Sequence, residues 1–506
     1  MRRIAIRVDA SLLMGTGHVM RCLTLAAALR SRGAEVLFLS RELPGHLHGL
    51  IRDQGHALHV LPPPRSPLPE GGALAHAAWL GVPMELDAEE CRRALEPLGG
   101  IEWMIVDHYA IDAGWQRKLR RVARRMAVID DLADRHHDAD LLLDQALLPD
   151  AEERYASLLP AGCIRLLGPD YALLRAEFVA ARPQVQPREQ LRRLLVFLGG
   201  VDAGGYTALA LEALARSVLR DRPADVVVGA SNPAAASLRE YCARQPGLQF
   251  HQQVDNMAEL MRAADLSIGA GGSTTWERAC MGLPSVILVV ADNQRPSAEA
   301  MGAAGKAWVV EAVGLDAVSL ARQLDAIAAD PAHFRQVSRL NLELADGRGA
   351  ERVARRLLAP EVRLRRARAD DVRNVYEWRN DESTRRHSHS SSVIPYADHQ
   401  RWFEKVLADP QRALLIAEDQ GRPVGVLRYD VQQDGALVSI YLVPGCGGAG
   451  YGSAILGAGS RWLAAEQPEV RTVVGEVLEA NVASHRAFRE AGYAFKNQAY
   501  EQRLRP

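Results

Sequence analysis

Cysteine is scarce: six residues in a chain of 506, at Cys22, Cys91, Cys163, Cys242, Cys280 and Cys446, with no Cys-x-x-Cys pair. That spacing indicates neither a disulfide framework nor a cysteine-built zinc cluster, and a reducing, cytoplasmic setting is the default expectation. Long apolar runs are missing as well. Nothing approaches the roughly 18–20 residues needed to span a bilayer. The N-terminal MRRIAIRVDASLL holds only a short, charge-interrupted apolar run, unlike a signal peptide. Charge of one sign is also absent. With 61 Lys and Arg against 62 Asp and Glu, the net charge is −1. No global basic field exists for nucleic acid, and no acidic tail.

What is present fits a globular protein: 48% hydrophobic and 24% charged residues. At roughly 150 residues per domain, the length suggests about three units. From Arg2 to about Asp144, short buried runs alternate with helical patterns. RIAIRVDA, AEVLFLSRE, WMIVDHY, RMAVIDDLA and ADLLLDQ read as strands of a parallel sheet. VLPPPRSPLPEGGAL reads as a surface loop. RRLLVFLGGVDAGG, ADVVVGASNP and ADLSIGAGGSTTWERACMGLPSVILVV repeat the strand, glycine turn and helix pattern. The last unit differs, with helices first, then several strands, a glycine loop and further helices, which suggests α+β. The expected organisation is a first lobe over 1–162, a second over 163–350, a linker over 351–362 around an arginine-rich proline turn, and a final domain over 363–506.

GTGHVMRCLTLAAAL begins at Gly15, between a strand and a helix. Helix N-termini carry unpaired N–H groups and a positive dipole end, so they suit phosphate. His18 sits where ligands bind in open α/β sheets, beyond the strand C-termini. A helix N-terminus favours the neutral imidazole, which a general base needs. A structural histidine beside a cap is the plainer alternative. In GAGGSTTWE, backbone N–H groups with Ser273 and Thr274 can hold a diphosphate, and Glu277 can accept from ribose hydroxyls. The alternative is an ordinary turn with Glu277 at a favourable helix position. DRHHDAD reads as turn and surface residues rather than a metal site, and no metal is expected.

The joint order of RVDAS…GTGHVMRCLTLA, IVDHYAID, VIDDLADRHHDADLLLDQ, GGSTTWERACMGLPSVIL and DNQ resembles the UDP-sugar hydrolases of pseudaminic acid biosynthesis. These share the GT-B arrangement of two Rossmann-like lobes. The resemblance implies His18 as the base that activates water against the anomeric carbon, with Tyr109 and Asn293 near the sugar. It places Gly15, Gly17, Arg21, Gly199, Gly200, Gly271, Gly272, Ser273, Thr274 and Glu277 around UDP.

In the final unit, YLVPGCGGAGYGSAILGAG carries a strand, a proline, a glycine loop and a helix. With the closing NVASHRAFREAGYAF it resembles the GNAT N-acetyltransferases, which use acetyl-CoA. The resemblance implies Gly448, Gly450, Gly452 and Ser453 at the cofactor pyrophosphate. It sets Leu442 and Val443 on the splayed strand that pairs with pantetheine, and Asn481 and Ser484 near the cofactor. Two departures stand out. Gly447 replaces the usual Arg or Gln, and Phe488 stands where a tyrosine acid is frequent. Thiolate protonation must then come from elsewhere: Tyr493, Tyr441 or water. Glu476 is the candidate base for the amine, with a surface strand carboxylate as the alternative. VYEWRNDESTRRHSHS resembles the substrate side of the pathway's sugar acetyltransferase, and RRHSHSSS reads as a mobile polar loop.

Taken together, these features imply a bifunctional enzyme that acetylates a UDP-linked amino-sugar and then removes UDP. Two other readings stand. One is a UDP-sugar glycosyltransferase fused to an acetyltransferase, and the other is a nucleotide-sugar-binding protein with an inactive GNAT domain. Oligomeric state is not legible.

Overall fold

The central apolar runs, among them RIAIRV, IEWMIVD, LSIGA and SVILV, become strands buried on both faces, as parallel strands under helices must be, while the edge strands stay partly exposed. The computed structural model describes residues 2–65, 74–388, 390–433, 435–496 and 499–504. The proline-rich stretch read as a loop falls largely at 66–73, outside the described residues. The chain forms two compact units, Met1–Leu357 and Leu358–Pro506.

The first unit holds two sheets. One is built from β1 (Arg3–Val8), β2 (Glu35–Arg41), β3 (Ala57–Leu61), β4 (Ile101–Asp107), β5 (Ala123–Ile129), β6 (Leu141–Asp144) and β7 (Ile164–Leu167). All are parallel, in the order β3-β2-β1-β4-β5-β6-β7. The other is built from β8 (Leu194–Phe197), β9 (Ala224–Val228), β10 (Leu248–Gln252), β11 (Leu266–Ala270), β12 (Ser285–Val289) and β13 (Trp308–Glu311), ordered β10-β9-β8-β11-β12-β13. Both are Rossmann-like. In each, strand order reverses between the first strand and the fourth, which opens a crevice at the carboxyl ends of that pair. β1 with β4, and β8 with β11, are those pairs.

Buried charge interrupts the apolar pattern of β1. Arg7 in β1 is fully buried, bonded to Asp9 at 2.5 Å and to Asp87 at 2.7 and 3.1 Å. Arg41 and the Trp115 indole also donate to Asp87. Such a network persists only when its charges are paired, and here it ties β1 and β2 to the helix Met84–Leu95.

Two expected boundaries need correction. β7 lies beyond residue 162 yet pairs with β6, so the first sheet runs on to Leu167. Residues 351–357, taken as linker, belong to the helix Gly349–Leu357, whose Val353, Ala354 and Leu357 are buried. This helix packs against the helix Gly17–Arg30, and the Trp103 indole donates to the Leu357 carbonyl at 2.8 Å. A strongly amphipathic helix beside an arginine-rich turn reads as a solvated connector until its packing partner is known.

The second unit is one sheet: β14 (Arg363–Arg366), β15 (Arg412–Asp419), β16 (Arg422–Gln432), β17 (Gly435–Leu442), β18 (Thr472–Glu476), β19 (Ala494–Lys496) and β20 (Ala499–Arg503), ordered β14-β15-β16-β17-β18-β20-β19. Neighbours are antiparallel except β17 and β18. Arginine-rich β14 opens the final domain where it was expected to begin, and its Arg365 is tied to Asp371 and Glu418 at 2.7 Å each.

Candidate active sites

Both crevices of the first unit open into one cleft of about 440 Å³. It is lined from the first lobe by Gly15, Gly17, His18, Arg21 and Tyr109, and from the second by Gly199, Gly200, Gly271, Gly272, Ser273, Thr274, Glu277 and Asn293. The loops face each other closely. A Cβ on Gly17 would lie 4.0 Å from Ser273 Oγ, and one on Gly200 3.7 Å from Thr16 Oγ1.

His18 opens the helix Gly17–Arg30, directly after the β1 loop. Asp107 closes β4, the neighbouring strand at the reversal point. Asp107 Oδ1 lies 2.6 Å from His18 Nδ1. Arg21, one turn on, grips the same carboxylate from two sides, Nε to Oδ2 and Nη2 to Oδ1, both at 2.6 Å. Burial alone would raise the Asp107 pKa, but Arg21 and His18 outweigh it and hold the carboxyl well below its usual range. An ionised carboxylate can only accept, so His18 Nδ1 carries the hydrogen. Nε2 then bears the lone pair of the neutral ring, and no hydrogen bond to it forms among the described residues. The arrangement is that of an oriented base.

Aromatic rings wall this imidazole. Tyr109 stands edge-on to it at 4.7 Å between centroids, and Trp79 at 6.3 Å. The Tyr109 hydroxyl donates to Asp131, itself in the cleft. Burial and the Asp131 charge keep that hydroxyl protonated far above the normal phenol range. Behind it, burial and Asp131 push the Asp144 carboxyl up to about 7.

The second lobe contributes a different surface. Gly272 has φ +97°, a conformation other residues adopt with strain, and it turns the chain into the helix Thr274–Cys280. Gly271, Gly272 and Ser273 leave backbone N–H groups and a hydroxyl at the cleft. Glu277 borders the cleft but is buried and bonded to Arg175 at 3.3 Å. Burial raises its pKa, opposed by Arg175. Asn293 lies exposed on the rim.

Sequence reasoning passed over Asp107, Asp131 and Gln294. Gln294 lines the cleft with a buried Oε1 that has no hydrogen-bond partner among the described residues. The available signal for Asp107 was a carboxylate ending an otherwise apolar strand. DRHHDAD is not a surface turn: Arg135 and His137 are buried, holding the Ile111 carbonyl and the Gln116 side chain. Among the described residues no group of three or more His, Cys, Asp or Glu could hold a metal ion. None of their helices is long and apolar enough to cross a membrane.

In the second unit β17 and β18 part company. Their register ends at Val438 with Gly475, so β17 from Ser439 to Leu442 has no partner on the β18 side. Val443 follows and bonds back to Val424. Just beyond lies the glycine loop: Gly448 and Gly450 have φ +81°, and Gly450 precedes the sixteen-residue helix Tyr451–Glu466. Gly452 and Ser453 form its first turn, with Ser453 Oγ donating to the Gly450 carbonyl. Glu476 is exposed at the end of β18, on the opening. Asn481 spends its side-chain oxygen capping the helix Val482–Glu490 through Ser484 N–H, at 3.0 Å.

Packing distinguishes Phe488 from the candidate acids Tyr493 and Tyr441. Phe488 is buried against Gly475, where a Cβ would meet its ring at 2.2 Å, and it stacks on Tyr500. Tyr493 is buried with its hydroxyl on Ser460 at 3.1 Å, in the interior. Tyr441 lies on the open end of β17, its pKa raised by burial and opposed by Arg379 and Arg428. Within RRHSHSSS Arg385 donates to the Ser391 carbonyl, and just outside it Asn380 exchanges two bonds with Ile394. His389 of that stretch lies outside the described residues.

Comparison with known proteins adds two families. Residues 194–352 match the Glycosyltransferase family 28 C-terminal domain, and residues 361–494 the Acetyltransferase (GNAT) domain. The spore coat polysaccharide biosynthesis protein SpsG of Bacillus subtilis is 31% identical over 141 residues, 28% of this chain and 42% of that protein. The uncharacterized protein MJ1062 of Methanocaldococcus jannaschii is 23% identical over 302 residues, 58% of this chain and 57% of its own length. The chain thus spans about half the length of these two curated relatives. The UDP-N-acetylglucosamine--N-acetylmuramyl-(pentapeptide) pyrophosphoryl-undecaprenol N-acetylglucosamine transferase of Sorangium cellulosum is 29% identical over 364 residues, covering 68% of this chain and 85% of that protein. The crystal structure of Acinetobacter baumannii MurG has a TM-score of 0.49 at 15% identity, over 71% of this chain and 99% of that one. The fold is mixed α/β, with parallel Rossmann-like sheets in GT-B-like lobes, followed by a GNAT-like acetyltransferase domain.

Proposed function

We propose that the first unit hydrolyses a UDP-linked amino-sugar and that the second acetylates the amine of its precursor, two consecutive steps of pseudaminic acid biosynthesis. The observation that carries the hydrolytic reading is the 2.6 Å contact of His18 Nδ1 with Asp107, on a ring that borders the cleft. His18 Nε2 takes a proton from water as the water oxygen bonds to sugar C1. The C1–O bond breaks and its electron pair leaves with UDP. Asp107 and Arg21 hold the ring and offset the charge it gains. A positioned base contributes roughly 10²–10⁴-fold. The Gly271–Ser273 turn offers N–H groups to the departing diphosphate, a contribution of similar or larger size. Tyr109 and Asn293 border the sugar, and Glu277 with Arg175 borders the nucleoside.

The second unit fits acetyl-CoA by the same kind of device. The Gly448–Gly452 turn at a helix start suits a pyrophosphate, and the unpaired edge of β17 from Ser439 to Leu442 suits an extended amide chain. Acetyl-CoA supplies the acetyl thioester. Glu476, at the mouth of the splay, takes a proton from the incoming amine.

The relatives named for N-acetylglucosamine transfer favour a second reading of the first unit, transfer of the sugar to an acceptor. Mass spectrometry of products from the unacetylated UDP-amino-sugar, with and without acetyl-CoA, separates the two. Free diacetamido sugar, UDP and CoA, formed without any acceptor, are expected. Turnover of the UDP-sugar only after an acceptor is added would favour the transferase.

A further inference from the structure

His18 and Arg21 share one carboxylate. Asp107 Oδ1 meets His18 Nδ1 and Arg21 Nη2 at 2.6 Å each, and its Oδ2 meets Arg21 Nε at 2.6 Å. Arg21 Nη2 also lies 3.2 Å from that same imidazole nitrogen. While the ring is neutral, one anion serves one cation. Once His18 takes a proton from water, two cations in contact share a single carboxylate, and all three side chains are buried. Water screens such charges poorly there, so the new positive charge is costly without a second anion.

The groups around this cluster supply few. The Cys22 thiol lies 3.4 Å from Asp107, and burial with the Asp107 charge keeps it protonated. The His76 ring, 5.4 Å from the Tyr109 ring, has its pKa lowered by burial and is neutral at pH 7. Asp130 and Asp134 are both held by Arg135, at 2.8 and 2.6 Å. Asp144 faces Arg154 at 3.4 Å and has its carboxyl raised to about 7 by burial and Asp131. Asp131 itself is different. It borders the cleft, its Oδ1 accepts from the Tyr109 hydroxyl, and its Oδ2 stands 3.6 Å from Arg21 Nη1. That nitrogen is the one arm of the guanidinium that makes no hydrogen bond to Asp107.

We propose that Asp131 is a positioning residue for the hydrolysis: it takes up the charge of Arg21 as Asp107 turns its own to the imidazolium. This rests on the hydrolytic reading of the first unit. One proton moves, from the attacking water to His18 Nε2, while the new C1–O bond forms and UDP leaves with the electron pair of the old one. Asp131 exchanges no proton. It acts through Arg21 and Asp107, so its effect exists only while His18 is there to be charged.

The test follows UDP release from the UDP-linked diacetamido sugar by the full chain, with no acceptor. Asp131→Asn keeps the side-chain shape and an acceptor for Tyr109. It should lower kcat by about tenfold or more, with KM and calorimetric UDP binding within about twofold of the parent. Asp131→Glu should restore part of the rate. In a His18→Ala background the same Asp131→Asn change should cost less than about twofold, because no imidazolium forms there. An unchanged kcat in Asp131→Asn, a rise in KM that accounts for its loss, or a further tenfold loss in the double variant would overturn the role. Should His18→Ala fall below detection, the split between kcat and KM and the rescue by Asp131→Glu decide. A parent chain that releases no UDP until an acceptor is added would instead overturn the hydrolytic reading, and this inference with it.

Discussion

The turn at Gly15–His18 and the turn at Gly271–Thr274 use one backbone device and do opposite things with charge. Each follows a parallel strand at the reversal point of its sheet and ends in a helix. The first is backed by a buried carboxylate, imidazole and guanidinium in mutual contact. The second presents N–H groups and hydroxyls, and its nearest charged side chains, Glu277 and Arg278, turn away into Arg175 and the Ala270 carbonyl. The last residue of the neighbouring strand makes the difference: Asp107 closes β4 beside the first turn, and Phe197 closes β8 beside the second. A glycine turn alone therefore says where a ligand sits and not what is done to it.

Breaking the first turn should have the largest effect. His18→Ala should lower kcat by roughly 10²–10⁴-fold while UDP binding, followed by calorimetry, stays within about twofold. Asp107→Asn comes next. It removes the group that fixes the imidazole hydrogen, and kcat should fall by about 10²-fold or more. It also takes the nearer of two carboxylates from the buried Arg21, leaving Asp131 at 3.6 Å, so the urea midpoint should fall. The second turn should answer differently. Gly272→Ala meets no atom within 4 Å but must hold φ +97°. A strain of about 1–2 kcal/mol should appear mainly as weaker UDP binding, with kcat much less affected. Gly450→Ala, at φ +81°, should do the same for CoA and leave UDP release untouched.

The smallest effect sharpens the charge contrast. Asp144 has its carboxyl raised to about 7 in the folded protein, against 3.8 ordinarily. The folded state thus holds a proton that the unfolded chain has lost, and stability falls as pH rises from about 4 to 7. Asp144→Asn keeps an acceptor for the Ala146 N–H and should flatten that slope in thermal melts, with a higher Tm than the parent at pH 8.

His18, Gly199, Gly271 and Gly450 were legible in the sequence because each sits inside a contiguous strand, turn and helix pattern. Asp107 was not, because its partners His18 and Arg21 are 89 and 86 residues away and meet it only once β1 and β4 lie side by side. The same holds for Gln294, whose significance is an unpaired oxygen that no local pattern shows. In the second unit β14 was hidden by its arginines, since period-two charge on an edge strand looks like a solvated run. Arg135 and His137 misled in the same way. Polar residues read as exposed until tertiary contacts supply them with partners.

The most direct measurement uses the full chain with a UDP-amino-sugar in ¹⁸O-labelled water and no acceptor. Attack by base-activated water at C1 predicts one sugar released per UDP, with the UDP free of label. Label in the UDP would place the break at phosphorus, and no turnover until an acceptor arrives would mean that water is not the nucleophile.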